Sequence, residues 1–140
     1  MNDEDTRIEI AVAGYTKLQE VHSEFLLKIA ANAKGAINGG SLSAIDGEIT
    51  ASALGVHFDV VRRPIFVTDH FVNVEYAFVM RRNGVETAVW HLYLDGNSFL
   101  YTDSAMANYF TKCDDTALSN KIVAALASAL IKAKVFEPRG

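Results

Sequence analysis

Cysteine is almost missing from this chain, one residue in 140, which excludes an intrachain disulfide and the small secreted scaffold that depends on several. There are only two prolines, and half of the residues are apolar, a content that a disordered chain does not carry. No apolar run approaches the roughly 18–20 residues of a membrane helix. A basic excess is also lacking. The net charge of −4 argues against general nucleic-acid or anionic-membrane binding, because both partners want a basic face. The acidic opening Met1-Asn2-Asp3-Glu4-Asp5 is the opposite of a signal-peptide start, so the expected compartment is cytoplasmic. Neither internal repeats nor a linker divides the chain, so one domain over 1–140 is expected, large enough to build a core without a metal staple. No known family is recognisable in these residues.

The residues that are present fall into three blocks. Thr6-Arg7-Ile8-Glu9 has capping-box spacing. Beyond it Ile8, Ala11, Tyr15, Leu18, His22, Phe25 and Ile29 recur three and four apart, with Lys17, Glu20, Glu24 and Lys28 off that seam. This predicts an amphipathic helix from Thr6 to about Ala33, with Gly14 as an interior weak point and Gly35 and Asn38-Gly39-Gly40 as its stop. From Gly47 to Thr102 the period changes to two, with β-branched and aromatic residues punctuated by turn signals. This predicts an antiparallel meander of about five strands. Asp103-Ser104 is expected to cap a helical turn through Met106, Tyr109 and Phe110. A last helix follows Asp114 and Asp115 along Leu118, Ile122, Leu126, Ala129 and Ala133, carries Lys132 and Lys134 in its final turn, and stops before Pro138. The fold class is therefore α+β, with helices on one face of the sheet.

Asn83-Gly84 is the sharpest local signal, since a type I′ turn needs positive φ at both central residues. It sets Arg81 opposite Glu86 and, by unbroken counting, Phe78 opposite Val89, Tyr76 opposite His91 and Val74 opposite Tyr93. One face then holds Val72, Val74, Tyr76, Phe78, Met80, Val89, His91, Tyr93 and Leu100 and is the expected core. The other holds Ala77, Val79, Trp90, Leu92, Leu94, Phe99 and Tyr101, an apolar surface where an open sheet should be polar.

Candidate chemistry is thin. His57 and Asp59 share a strand face, but no ligand spacing with Asp69, His70 or His91 makes a metal site, and the pair reads as the polar face of a half-buried strand. His91, beside Tyr76 and Tyr93, is the candidate general base, and its bland reading is a core histidine hydrogen-bonded to a tyrosine. No catalytic residue is assigned. Cys113 stands before the last helix, where Asp114 and Asp115 disfavour a thiolate. The glycines from Gly35 to Gly40 follow a helix and lack a Gly-Lys-Ser/Thr, so they read as a connector rather than a phosphate loop. Arg62-Arg63 with Pro64, and Arg81-Arg82, read as charge guarding sheet edges, with only one arginine of each pair on a given face. His22 lies on the helix seam.

Two functions are expected from this. The first is a non-enzymatic homodimeric binding or adaptor protein. Its interface is either the aromatic face of Trp90, Leu92, Leu94, Phe99 and Tyr101 or the long helix, which at about 42 Å overhangs a globule about 37 Å across. The second is a small-molecule-binding or small enzyme domain, with an apolar cavity for a small apolar ligand between sheet and C-terminal helix, lined by Tyr76, His91, Tyr93 and Met80. Neither cofactor nor metal is called for by either.

Overall fold

The computed structural model describes residues 3–31, 40–67 and 70–135. Helix α1 spans Asp3–Ala31, and seven strands follow: β1 Gly40–Ile45, β2 Glu48–Ala53, β3 Val56–Val67, β4 His70–Arg82, β5 Val85–Asp95, β6 Phe99–Tyr101 and β7 Tyr109–Lys112. Helix α2, Leu118–Lys132, closes the order. All seven strands form one antiparallel sheet in the order β1 to β7. The fold class is α+β as expected, with two strands more than the meander predicted.

The extra strands have local causes. β1 starts on the last glycine of the expected connector, Gly40, and runs through residues ahead of Gly47, the expected start of the meander. Its hairpin turns on Asp46-Gly47, both in the left-handed region (φ 53° and 80°) like Asn83-Gly84 (53° and 78°). Serine is tolerated there because Ser41 and Ser43 hydrogen-bond across to Ser52 and Thr50. β7 replaces the expected helical turn. The Asp103 carboxylate accepts the N–H groups of Ala107 and Asn108, four and five residues on, and Met106 takes a positive φ of 59°. That geometry closes a loop and returns the chain as a strand.

Both helices lie on one sheet face. From α1 come Leu18, Val21, Phe25 and Ile29, and from α2 Leu118, Ile122, Val123, Leu126 and Leu130. They bury Leu42, Ile49, Ala51, Phe58, Val74, Tyr76, Phe78, Leu92, Leu94 and Leu100 of the sheet. Gly40 is where α2 meets β1: a Cβ there would collide with the Val123 side chain and stand 2.8 Å from the Ser52 carbonyl oxygen. Asp115 fixes the approach to α2 by accepting the Ala117 N–H at 2.8 Å, the Thr111 hydroxyl at 2.5 Å and the Lys121 ammonium. The helix itself begins three residues later, on Leu118, and ends at Lys132, so the expected stripe position Ala133 lies past its last turn.

α1 begins at Asp3, so Thr6 and Glu9 lie inside the helix instead of capping it. Gly14 does not break it. Its open side faces the Phe71 backbone, where an added methyl group would sit at ordinary contact distance, 3.5 Å from the Phe71 nitrogen. The expected stop from Gly35 to Gly39, together with Asp69 and Pro138, lies outside the described residues, and so does the His70 side chain.

The register is the main correction. Arg81 faces Glu86 and forms an ion pair with it, and Met80 faces Thr87. Then Val79 faces Ala88 and Phe78 faces Trp90, so Val89 is an extra residue on β5. Past this bulge Tyr76 faces Leu92, Glu75 faces Tyr93 and Val74 faces Leu94. Because side chains alternate with period two, one inserted residue exchanges the faces of the rest of β5.

Candidate functional site

The cleft that best qualifies as a site arises from a strand that outruns its neighbour. β2 and β3 pair only from Ala53 opposite Val56 to Thr50 opposite Asp59, whereas β3 continues along β4 as far as Val67. Beyond Thr50 and Asp59 the two strands part. The opening has a volume of about 550 Å³ and is lined by His22, Asp46, Gly47, Glu48, Ile49, Thr50, Asp59, Val60, Arg62 and Tyr76. That volume is within the range of small-molecule pockets.

Its floor is a buried polar pair. His22 comes from the α1 seam between Leu18 and Phe25, and Tyr76 from the middle of β4. His22 Nδ1 and the Tyr76 hydroxyl are 2.6 Å apart, the rings stack at 5.7 Å, and Phe25 meets the Tyr76 ring edge-on at 5.1 Å. Burial, with the Arg62 charge second, holds the His22 imidazole down to about 4. Burial also pushes the Tyr76 phenol well up, against a smaller opposing effect of Arg62. Both groups are therefore neutral near pH 7, and the hydrogen bond satisfies each without a buried charge.

Arg62 stands opposite Tyr76 in the β3–β4 register. The neighbouring arginines are engaged: Arg63 pairs with Glu75 at 3.0 Å, Arg81 with Glu86, and Arg82 Nη1 donates to the Val135 carbonyl at 2.8 Å. Arg62 makes no ion pair with any described residue, and neither do Asp46 and Glu48 across the cleft. Strand alternation explains the division of labour, since Arg62 and Arg63 point to opposite faces.

The structure divides the four residues expected to line an apolar cavity. Tyr76 and Met80 are buried on the helix side, whereas the bulge turns His91 and Tyr93 to the other face, where their rings stack at 6.4 Å. His91 is thus not the partner of Tyr76; His22 is. Tyr93 bonds to Glu75, and its phenol is raised by burial first and by that carboxylate next.

The expected aromatic patch is divided by the same bulge. Leu92 and Leu94 are wholly buried in the core, and Trp90 packs between Phe78 and Phe110 at 5.3 Å from each. Phe99 and Tyr101 stay on the outer face. There Tyr101 stands between Tyr93 and Tyr109 in the register, and Tyr109 meets Tyr101 at 6.0 Å and Phe99 at 6.1 Å. An aromatic outer face therefore exists, built from His91, Tyr93, Phe99, Tyr101 and Tyr109.

The remaining candidates keep to themselves. His57 Nε2 and Asp59 Oδ1 lie 3.3 Å apart on an exposed face, and among the described residues no three histidine, cysteine or carboxylate side chains gather as a metal site would require. Cys113 is buried, and its thiol is pushed up to about 12 by burial first and then by Glu24, Asp114 and Asp95. Asp115, expected to act on it, is instead held down to about 2 by Lys121 and Thr111.

The His22–Tyr76 pair escapes sequence reasoning because its members are 54 positions apart. The available signal is a histidine on an apolar seam and a tyrosine on a core strand, each needing a polar partner. Comparison with protein families, with curated proteins and with solved structures returns no match.

Proposed function

We propose that the chain is a homodimeric binding protein that self-associates through the N-terminal half of α1. One observation carries this reading: the seam that buries Leu18, His22, Phe25 and Ile29 in cis continues outward as Tyr15, Val12 and Ile8, which are 43%, 60% and 57% exposed. Phe66 widens the apolar surface, and Tyr15 joins it to the sheet through Phe71, 5.4 Å away, which in turn meets Phe66 at 4.9 Å. A continuous apolar patch of this kind marks an interaction site more often than a free surface.

The occupant that fits is a second copy. A two-fold axis beside the overhang brings the same stripe from each chain together, with Ala11 leaving room for the larger side chains of the other, and such symmetric dimers are the commonest soluble oligomers. Binding rather than catalysis suits the reactive groups, because Cys113 is buried with its thiol raised and the His22 imidazole is held by Tyr76. A cytoplasmic address suits a single buried thiol. No helix among the described residues is long and apolar enough to cross a membrane.

Sedimentation equilibrium on the wild type and on Val12→Glu tests the reading. The expected result is a wild-type dimer at about micromolar concentration that the variant weakens at least tenfold. A wild type that stays monomeric overturns it. A dimer that resists Val12→Glu but dissociates on Tyr109→Glu places the interface on the aromatic outer face instead.

A further inference from the structure

We propose that the cleft above His22 and Tyr76 binds a small zwitterion of amino-acid or dipeptide size, with Arg62 taking its carboxylate and Asp46 and Glu48 its ammonium group. Opposite charges that line one cleft would ordinarily pair. Here they do not: Arg62 on β3 and the two carboxylates at the β1–β2 turn have no ion-pair partner among the described residues, although all three line the same opening. Every other arginine on the sheet is engaged, by Glu75, by Glu86 or by the Val135 carbonyl. An arginine and carboxylates held apart across a gap match a ligand that carries both charges, one at each end.

The rest of the cleft suits such a ligand. The floor contributes no charge, since His22 and Tyr76 satisfy each other as neutral groups, so neither competes for either end. Ile49 and Val60 supply apolar wall for a side chain. The parting of β2 and β3 also leaves Glu48–Ile49 and Val60–Arg62 without cross-strand pairing to each other, so backbone donors and acceptors stand at the wall. Asp59, the third carboxylate of the lining, is occupied by His57. A dianion would meet Asp46 and Glu48, and a dication would meet Arg62, so the charge pattern disfavours both. A two-residue peptide extends roughly 7 Å, short enough for both termini to lie within a cleft of this volume.

The test uses the full chain, labelled with nitrogen-15, and two probes, L-leucine and L-alanyl-L-leucine. Each is compared with its N-acetylated and C-amidated forms. The expected result is that a free zwitterion shifts the amide signals of Ile49, Val60 and Arg62, with each blocked form about tenfold weaker or more. Arg62→Gln should erase the preference for a free carboxylate and keep that for a free amine. Asp46→Asn with Glu48→Gln should do the reverse. These three side chains are on the surface, so the variants keep the fold, which their melting temperatures verify. No shift from either probe at about 10 mM, or binding that ignores the blocking of either end, overturns the proposal.

Discussion

His22 is the residue at which burial and titration meet most clearly. In the unfolded chain its imidazole protonates near 6.5, whereas in the fold the pKa lies at about 4. Between those values the unfolded chain binds a proton that the native state refuses, so stability falls as the pH drops through that window and levels off below it. The loss attributable to His22 is at most about 3 kcal/mol. Urea melts at about pH 7 and about pH 4.5 should show it, and His22→Gln, which cannot protonate, should flatten that part of the profile. An unchanged profile in the variant would contradict a buried neutral imidazole. Asp115 acts in a separate, more acidic window: its carboxyl is lowered from 3.8 to about 2, so what it contributes is present above 3.8 and lost as the pH falls through 2. At this scale the sequence was partly legible. It placed His22 on the seam and Tyr76 on the core face, but their pairing depends on how α1 crosses β4, which no local pattern encodes.

At the scale of the element, β5 shows how one residue redirects a reading. Asn83-Gly84 and the Arg81–Glu86 pair are local, and both stand as expected. Val89 is β-branched and apolar, indistinguishable by type from the residues beside it, so nothing in its chemistry announces a bulge. The consequence is measurable. Trp90→Ala, which empties a position packed between Phe78 and Phe110, should cost about 3 kcal/mol, whereas His91→Ala on the outer face should stay within about 1 kcal/mol. Chemical denaturation of the two variants compares them directly, and a costlier His91→Ala would restore the unbulged register. β1 and β7 were missed for a related reason. Gly40 reads as the end of a connector and Ser41 and Ser43 carry no strand signal, because the cross-strand hydroxyl bonds of the serines and the close approach of Val123 to Gly40 are tertiary. β7 was hidden by Asp103, whose carboxylate reaches a loop instead of a helix start.

For the whole molecule, the bulge bears on one of the two arguments for self-association and leaves the other, the helix length, untouched. The aromatic face changed membership at the bulge, but the overhang needs only the length of α1, 29 residues or about 44 Å at 1.5 Å per residue, and the position at which it reaches the core. Burial begins at Leu18; among the described residues before it only Ala11 and Gly14 are even half-covered. Among the described residues the stripe of Ile8, Val12 and Tyr15 meets its own chain only where Tyr15 touches Phe71, and in the proposed dimer a second copy covers the rest. A spin label reports this most directly. Cys113 is buried with its thiol pushed up to about 12 and should not label, so Thr16→Cys, exposed and one turn on from Val12 at the margin of the stripe, offers one site per chain. Paired helices lie with axes about 8–10 Å apart, and electron–electron resonance on the labelled protein should give one narrow, short distance between the two copies. Labelled protein that shows no dipolar coupling at concentrations where the wild type is soluble would contradict the dimer.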